Sequence, residues 1–298
     1  MELISRARRV PERVALMGGA YGNVAGLRAS IEDAKQLRCD LLVFLGDATG
    51  CCGHSDEVLE LLRRNFQVLI QGNHEEEAIA GSDSCACGYG DPDDERYGCM
   101  AHQYAMTNLS EAWRAWLSTW PKQALFEIGS AKLLLCHGSP DRINEFLYES
   151  ELNEDRLTGW LETHSASTLA CTHTGLPWLR RLSRGRLALN CGTVGKPDND
   201  GDPAVHYAFL STPAREPWSA TIRRVPYDHR TWAAQLEREG VDPIFTEPLR
   251  TGWWTTGVKS LPAFEKSGAD RLRHRAGVSR GSAQSDGLLL GRGRKLPE

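Results

Sequence analysis

Five side chains pose the chemical question: Asp47, Asn73, His74, His137 and His173. Each closes or follows an apolar run, in "DLLVFLGD", "FQVLIQGNHE", "KLLLCHG" and "STLACTH". One carboxylate, one amide oxygen and two imidazoles suit a divalent transition metal, with Mn, Fe, Zn, Co and Ni all chemically compatible. His74, beside Asn73, changes charge near neutral pH, which suits general acid work. Taken alone, Asn73 and His74 also read as a helix cap followed by a surface histidine. The repetition at four strand ends favours one common site, because ligands of open α/β sheets gather at the carboxyl ends of the strands.

The elements that must position these groups follow from periodicity. "RVALM", "DLLVFLGD" and "QVLI" read as strands. Between them Val24, Leu27, Ile31, Ala34 and Leu37 recur at helical spacing, and Ser55-Asp56-Glu57 opens a second helix with acid at its positive end. This βαβαβ order predicts parallel strands joined by crossover helices. Residues 81–100 read as a Gly/Asp/Cys loop. Residues 101–121 read as one helix whose Trp113, Trp116 and Trp120 stripe is core packing. "KLLLC", "STLAC" and "RLALNCG" continue the strand pattern, and "VHYAFLS" and "ATIRRV" read as an antiparallel pair. The expected domain covers residues 10–254, and residues 255–298 read as a basic, Gly- and Ser-rich, mobile tail.

Composition narrows the class. The chain has 298 residues, 41% hydrophobic and 25% charged, as in a globular protein with a sizeable core. A net charge of -4 and a pI near 6.2 argue against a general nucleic-acid binder. No apolar run approaches the ~18 residues that span a bilayer, and "VALM" is too short for a signal core, so a cytoplasmic protein without a membrane partner is expected. Nine cysteines without a secretion signal read as reduced thiols or metal ligands.

"FLGD", "QGNHE", "LCHGSP", "THTGLP" and "LNCGTVGKPDNDGDPAVHYAFL" occur in the order and approximate spacing of the calcineurin-like metallophosphoesterase superfamily. The chain resembles its small bacterial phosphodiesterase-type members from about residue 12 to about 250. The resemblance implies an α/β fold, a two-sheet β-sandwich flanked by helices in four layers. It also implies a two-metal site at one edge and hydrolysis of phosphomonoesters or phosphodiesters. By the same resemblance Asp47 matches the carboxylate bridging two metals, and Asn73, His137 and His173 match ligands of the second metal. His74 matches the histidine that donates a proton to the leaving-group oxygen.

The pattern breaks at the other metal. The family's Asp-x-His-Gly-Asn reads "GAYGN" here, with Gly19 in place of the aspartate and Tyr21 in place of the histidine. Gly175 replaces the second histidine of the last motif. All three are private ligands of the first metal. The expectation is therefore about one divalent transition metal per active site, hydrolysing a small phosphate ester or an exposed phosphoprotein. Two alternatives stand beside it: a catalytically impaired metal- or ligand-binding regulator, and a redirected enzyme using one metal and nearby thiols.

Other residues are secondary candidates. Tyr21, Asn23, Cys51, His54 and Asn190 are candidates for substrate contact or for support behind the ligands. Seven or eight thiols are expected around the site mouth. Cys85, Cys87 and Cys99 are candidates for a separate metal site, completed by His102 or Cys51. Plain packing of small thiols under the loops is the competing reading. Asp198, Asp200 and Asp202 read as turn residues.

Overall fold

Leu41–Phe44 and Leu187–Asn190 are buried at every position, as strands covered on both faces must be. The computed structural model describes residues 2–4, 11–107, 109–128, 131–211 and 219–267. Its strands are β1 (Glu2–Ile4), β2 (Arg13–Met17), β3 (Leu41–Phe44), β4 (Val68–Leu69), β5 (Gln123–Ile128) and β6 (Ala131–Cys136). They continue as β7 (Thr168–Cys171), β8 (Trp178–Arg181), β9 (Leu187–Asn190), β10 (Val205–Ser211) and β11 (Ser219–Val225). One sheet has the order β1-β5-β6-β7-β9-β8 and the other β11-β10-β2-β3-β4. β2, β3 and β4 run parallel, as do β6, β7 and β9.

Alternation along each strand builds the layers. Val14, Leu16, Val43 and Leu45 face Phe126, Leu133, Leu135 and Leu189 between the sheets. Ala15, Met17 and Phe44 face outward onto α1 (Val24–Gln36), α2 (Ser55–Asn65) and α7 (His229–Arg238), meeting Leu27, Leu59, Leu62 and Trp232. Leu134, Leu169 and Ala188 meet Leu157 and Leu161 of α6 (Glu154–Thr163) on the far side. Helix, sheet, sheet and helix make the expected four layers. No described helix is long and apolar enough to cross a membrane.

The expected loop 81–100 and helix 101–121 divide differently. α4 spans Pro92–Met106, and α5 spans Glu111–Leu117. Asp91 caps α4 by accepting from the amides of Asp93 and Asp94, and Pro92 sits where a missing N–H costs nothing. Ser110 starts α5 afresh by accepting from Trp113 N–H at 3.3 Å. The tryptophans still stack edge to face, with Trp116 and Trp120 ring centres 5.0 Å apart, at the margin of the core.

Three strands, β1, β5 and β8, have no counterpart in the sequence reading. Residues 255–267, read there as tail, pack on the domain. Gly257 and Ser260 N–H donate to the buried Asp94 carboxylate. Glu265 of α9 (Ala263–Lys266) is buried and accepts from Ser150 N–H and Oγ–H. Residues 268–298 of the expected tail lie outside the described residues.

Candidate metal centre

The polar groups singled out by the sequence sit at the carboxyl ends of β3, β6 and β7 and on the first turn of the helix after β4. That helix, α3, spans Asn73–Ala80. Glu75 in its first turn accepts from the amides of Gly72 at 2.7 Å, Asp47 at 2.7 Å and Ala48 at 2.8 Å. One buried carboxylate thus caps α3 and pins the Asp47 turn to it. The sequence reading passed over Glu75, although "GNHE" places a glutamate at a capping-box position. Asp47 and His173 both hold left-handed backbone, with φ of 61°. Each such residue costs roughly 1–3 kcal/mol, a strain that persists where the surroundings impose it.

Asp47, His137 and His173 converge, with ligand atoms all within 4.8 Å of one another. His137 Nε2 lies 3.2 Å from Asp47 Oδ2 and 3.0 Å from His173 Nδ1. Neighbouring ligands bound at ~2.1 Å and at right angles on one ion lie ~3.0 Å apart. The outer ring nitrogens are both engaged. His137 Nδ1–H donates to Leu45 C=O at 2.6 Å, and His173 Nε2–H donates to Cys87 C=O at 3.2 Å. Carbonyls only accept, so with both rings neutral the converging nitrogens would present lone pairs to each other and to a carboxylate. Three acceptors at that spacing repel unless a cation or proton lies between them. Burial opposes a charge on His137, but Asp47 outweighs it and raises its pKa, which favours a proton where a cation would otherwise sit. Burial, then the nearby His137 ring, pushes the His173 imidazole down to about 3, which keeps it in the neutral, ligating form. Burial opposes the Asp47 charge, but the His137 and His74 rings outweigh it and hold the carboxyl well below the usual range.

Asn73 carries the same signature. Its Nδ2 donates to Cys85 C=O at 2.8 Å, while its buried Oδ1 has no hydrogen-bond partner among the described residues. An orphaned buried oxygen costs roughly 1–3 kcal/mol unless something positive meets it. The Asp47, His137 and His173 donors therefore fit a divalent cation, and the Asn73 oxygen is a buried acceptor without a hydrogen-bond donor among the described residues. His74 N–H donates to Asp47 Oδ1 at 3.3 Å, and its Nδ1–H donates to Thr49 C=O at 2.9 Å. The ring's Nε2 faces Cys87 Sγ at 3.7 Å.

The positions that the family resemblance assigns to a first metal are closely packed. Gly19 has φ of +55°, and a Cβ there would lie 2.5 Å from Thr193 Cγ2 and 3.0 Å from the Tyr21 ring. A Cβ at Gly175, with φ of +74°, would lie 2.9 Å from the Trp254 ring. Trp254 is fixed by Nε1–H donation to Pro197 C=O at 2.7 Å and by N–H donation to Asn199 Oδ1 at 2.9 Å. Lys196 Nζ lies over its ring at 4.3 Å. One cleft is lined by Asp47, His74 and His173 together with Tyr21 and Lys196. Burial lowers the Lys196 pKa. Lys196 was missed by the sequence reading, because it lies in a turn where no periodicity marks it.

The remaining candidates separate. Cys51, Cys52 and Cys87 line the cleft. Asn23 caps α1 through Gly26 N–H, and its amide donates to Gly195 C=O and Tyr227 Oη, which leaves it structural. Asn190 lies behind His173, donating to Thr172 C=O and Thr174 Oγ1 and accepting from Gly192 N–H. His54 does not line the cleft; it pairs with Glu57 and Glu239 and packs edge-on to Trp232. Cys136, Cys171 and Cys191 lie inside apolar layers and not at the mouth, and burial raises all three thiols. All nine cysteines are unbridged. Arg224 pairs with Asp198, Asp200 and Asp202, consistent with a plain turn.

Known proteins agree with this architecture. A metallophosphoesterase from Sphaerobacter thermophilus superposes with a TM-score of 0.62 at 23% identity, covering 81% of this chain and 99% of its own. A hypothetical protein from Pyrococcus horikoshii superposes with a TM-score of 0.65 at 18% identity over 81% and 99%. No curated protein matches the sequence. The profile described as calcineurin-like phosphoesterase matches residues 14–201, more than half of the chain. Fold, converging donors and profile together place the chain in the calcineurin-like phosphoesterase family, whose members bind divalent metals.

Proposed function

We propose that the protein is a metal-dependent phosphoric ester hydrolase working with one divalent transition metal held by Asp47, Asn73, His137 and His173. The observation that carries this reading is the pair of imidazoles whose outer N–H groups are tied to carbonyls while their inner nitrogens face a carboxylate. An ion there supplies Lewis-acid polarisation of a phosphoryl oxygen and a lowered pKa for water. The remaining work falls to side chains. His74, held by Thr49 C=O, presents Nε2 to the leaving-group oxygen and donates its proton. Lys196 and the Tyr21 hydroxyl, on the filled side of the cleft, bind the phosphoryl oxygens. Lys196 thereby supplies the positive charge that a first metal brings in two-metal relatives. The cleft suits a small phosphate ester or an exposed phosphorylated side chain.

The packing at Gly19 and Gly175 supports a second reading, a regulator that binds metal or ligand without turnover. Elemental analysis and assay with an aryl phosphate and a bis-aryl phosphodiester in added Mn separate the two. Hydrolysis with about one metal per chain that depends on Asp47 supports the hydrolase. Metal without hydrolysis of either ester supports the regulator. Two metals per chain that are both lost in Asp47→Asn overturn the one-ion site.

A further inference from the structure

We infer that Cys85, Glu95 and Cys99 form a second cation site, for a soft divalent ion of the zinc class, separate from the centre at Asp47. Their ligand atoms all lie within 4.8 Å of one another. Cys85 Sγ is 3.8 Å from Cys99 Sγ and 3.7 Å from Glu95 Oε1. A tetrahedral ion with bonds of ~2.3 Å to sulfur and ~2.0 Å to oxygen sets those edges at ~3.8 Å and ~3.5 Å. A disulfide would bring the sulfurs to ~2.05 Å, so the spacing is that of two ligands and not of a bond.

The local sequence builds the site. Glu95 and Cys99 are four residues apart on α4 and share one face. The Asp91 cap and Pro92 turn that helix back along the Cys85 segment. Gly98, inside the helix, costs ~1 kcal/mol against alanine. A Cβ there would lie 2.9 Å from Cys85 Sγ, so the missing side chain is the room the thiol uses. Cys87 N–H donates to Cys85 Sγ at 3.3 Å, a contact that favours thiolate, and Tyr89 N–H at 3.2 Å orients the Glu95 carboxylate. Cys85 is buried while Glu95 and Cys99 are half-buried, so a fourth position opens to solvent. The sequence reading had Cys87 as the third ligand; its thiol turns instead to Asn73 Nδ2 at 3.5 Å, and Glu95 takes its place. His102 is also elsewhere, donating to Ser82 C=O.

The site would clamp the segment that orients the main centre. Cys85 C=O receives Asn73 Nδ2–H, and Cys87 C=O receives His173 Nε2–H. The test uses the full-length chain, stripped by a chelator under a phosphine reductant and titrated with Co(II). A thiolate-to-cobalt charge-transfer band should saturate at about one equivalent per chain. It should persist in Asp47→Asn and vanish in Cys85→Ser/Cys99→Ser. No such band at saturation, or a band lost in Cys87→Ser and kept in the double variant, overturns the site. Should the double variant not fold, the unaltered chain decides through alkylation with and without Zn(II), read by peptide mass. Protection of Cys85 and Cys99 together supports the site, and protection of neither overturns it.

Discussion

The two sides of the cleft are built on opposite principles. On one side Asp47, His137 and His173 converge on one point, and the backbone holds them there through Leu45 and Cys87. On the other side Thr193, Tyr21 and Trp254 occupy the space that a side chain at Gly19 or Gly175 would need. The first side gathers groups that a shared proton or a cation must bridge. The second is satisfied by van der Waals contact. The positions that the resemblance assigns to a first metal are therefore packed and not open.

The contrast can be broken most directly at Asp47. Asp47→Asn should remove about one equivalent of metal in elemental analysis and reduce hydrolysis by more than ~10⁴-fold. A metal content unchanged by the substitution would mean that the convergence is not a cation site. His74→Asn should keep the metal and lower kcat by about 10²–10⁴-fold. Unchanged turnover removes it from proton transfer. Lys196→Met should lower kcat/KM by ~10–100-fold, the value of a charge-assisted contact of ~1.5–3 kcal/mol, while Lys196→Arg should recover part of it. An inert Lys196→Met would return the filled side to pure packing.

The filled side itself is tested by restoring the family ligands. Gly19→Asp, Tyr21→His and Gly175→His together should gain no second metal, and each overpacked glycine should lower stability by ~1–3 kcal/mol in denaturant melts. A second equivalent bound at unchanged stability would contradict the packing account. The smallest effect is expected outside the cleft, at His54. Burial opposes its charge, but Glu239 and Glu57 outweigh that and raise its pKa. Its charged pairs thus add stability fully below about pH 6.5, and the gain fades as pH rises through the raised folded value. The melting-temperature gap between the unaltered chain and His54→Gln should therefore narrow toward alkaline pH. A gap constant with pH would assign His54 to packing on Trp232.

The legible and illegible parts differ for physical reasons. Asp47, Asn73, His137 and His173 were legible because each polar group ends a run buried on both faces, which is a local signal. The four layers came from the family resemblance, since the runs alone give only parallel strands joined by crossover helices. Glu95 was not legible, since its partnership with Cys85 depends on α4 folding back over the loop. The tryptophans 113, 116 and 120 all follow Ser110, so their spacing carried no signal of the break before it. Lys196 and Trp254 were not legible at all. Tertiary packing alone brings Lys196 to the cleft and Trp254 to the Gly175 turn.

One consequence follows from Glu75. Its two oxygens receive the amide hydrogens of Gly72, Asp47 and Ala48, which belong to two different turns. Neither turn can open without stranding a buried charge, so the two breathe together or not at all. In hydrogen–deuterium exchange these three amides should trade with solvent as a block, at the slow pace of the whole domain's unfolding.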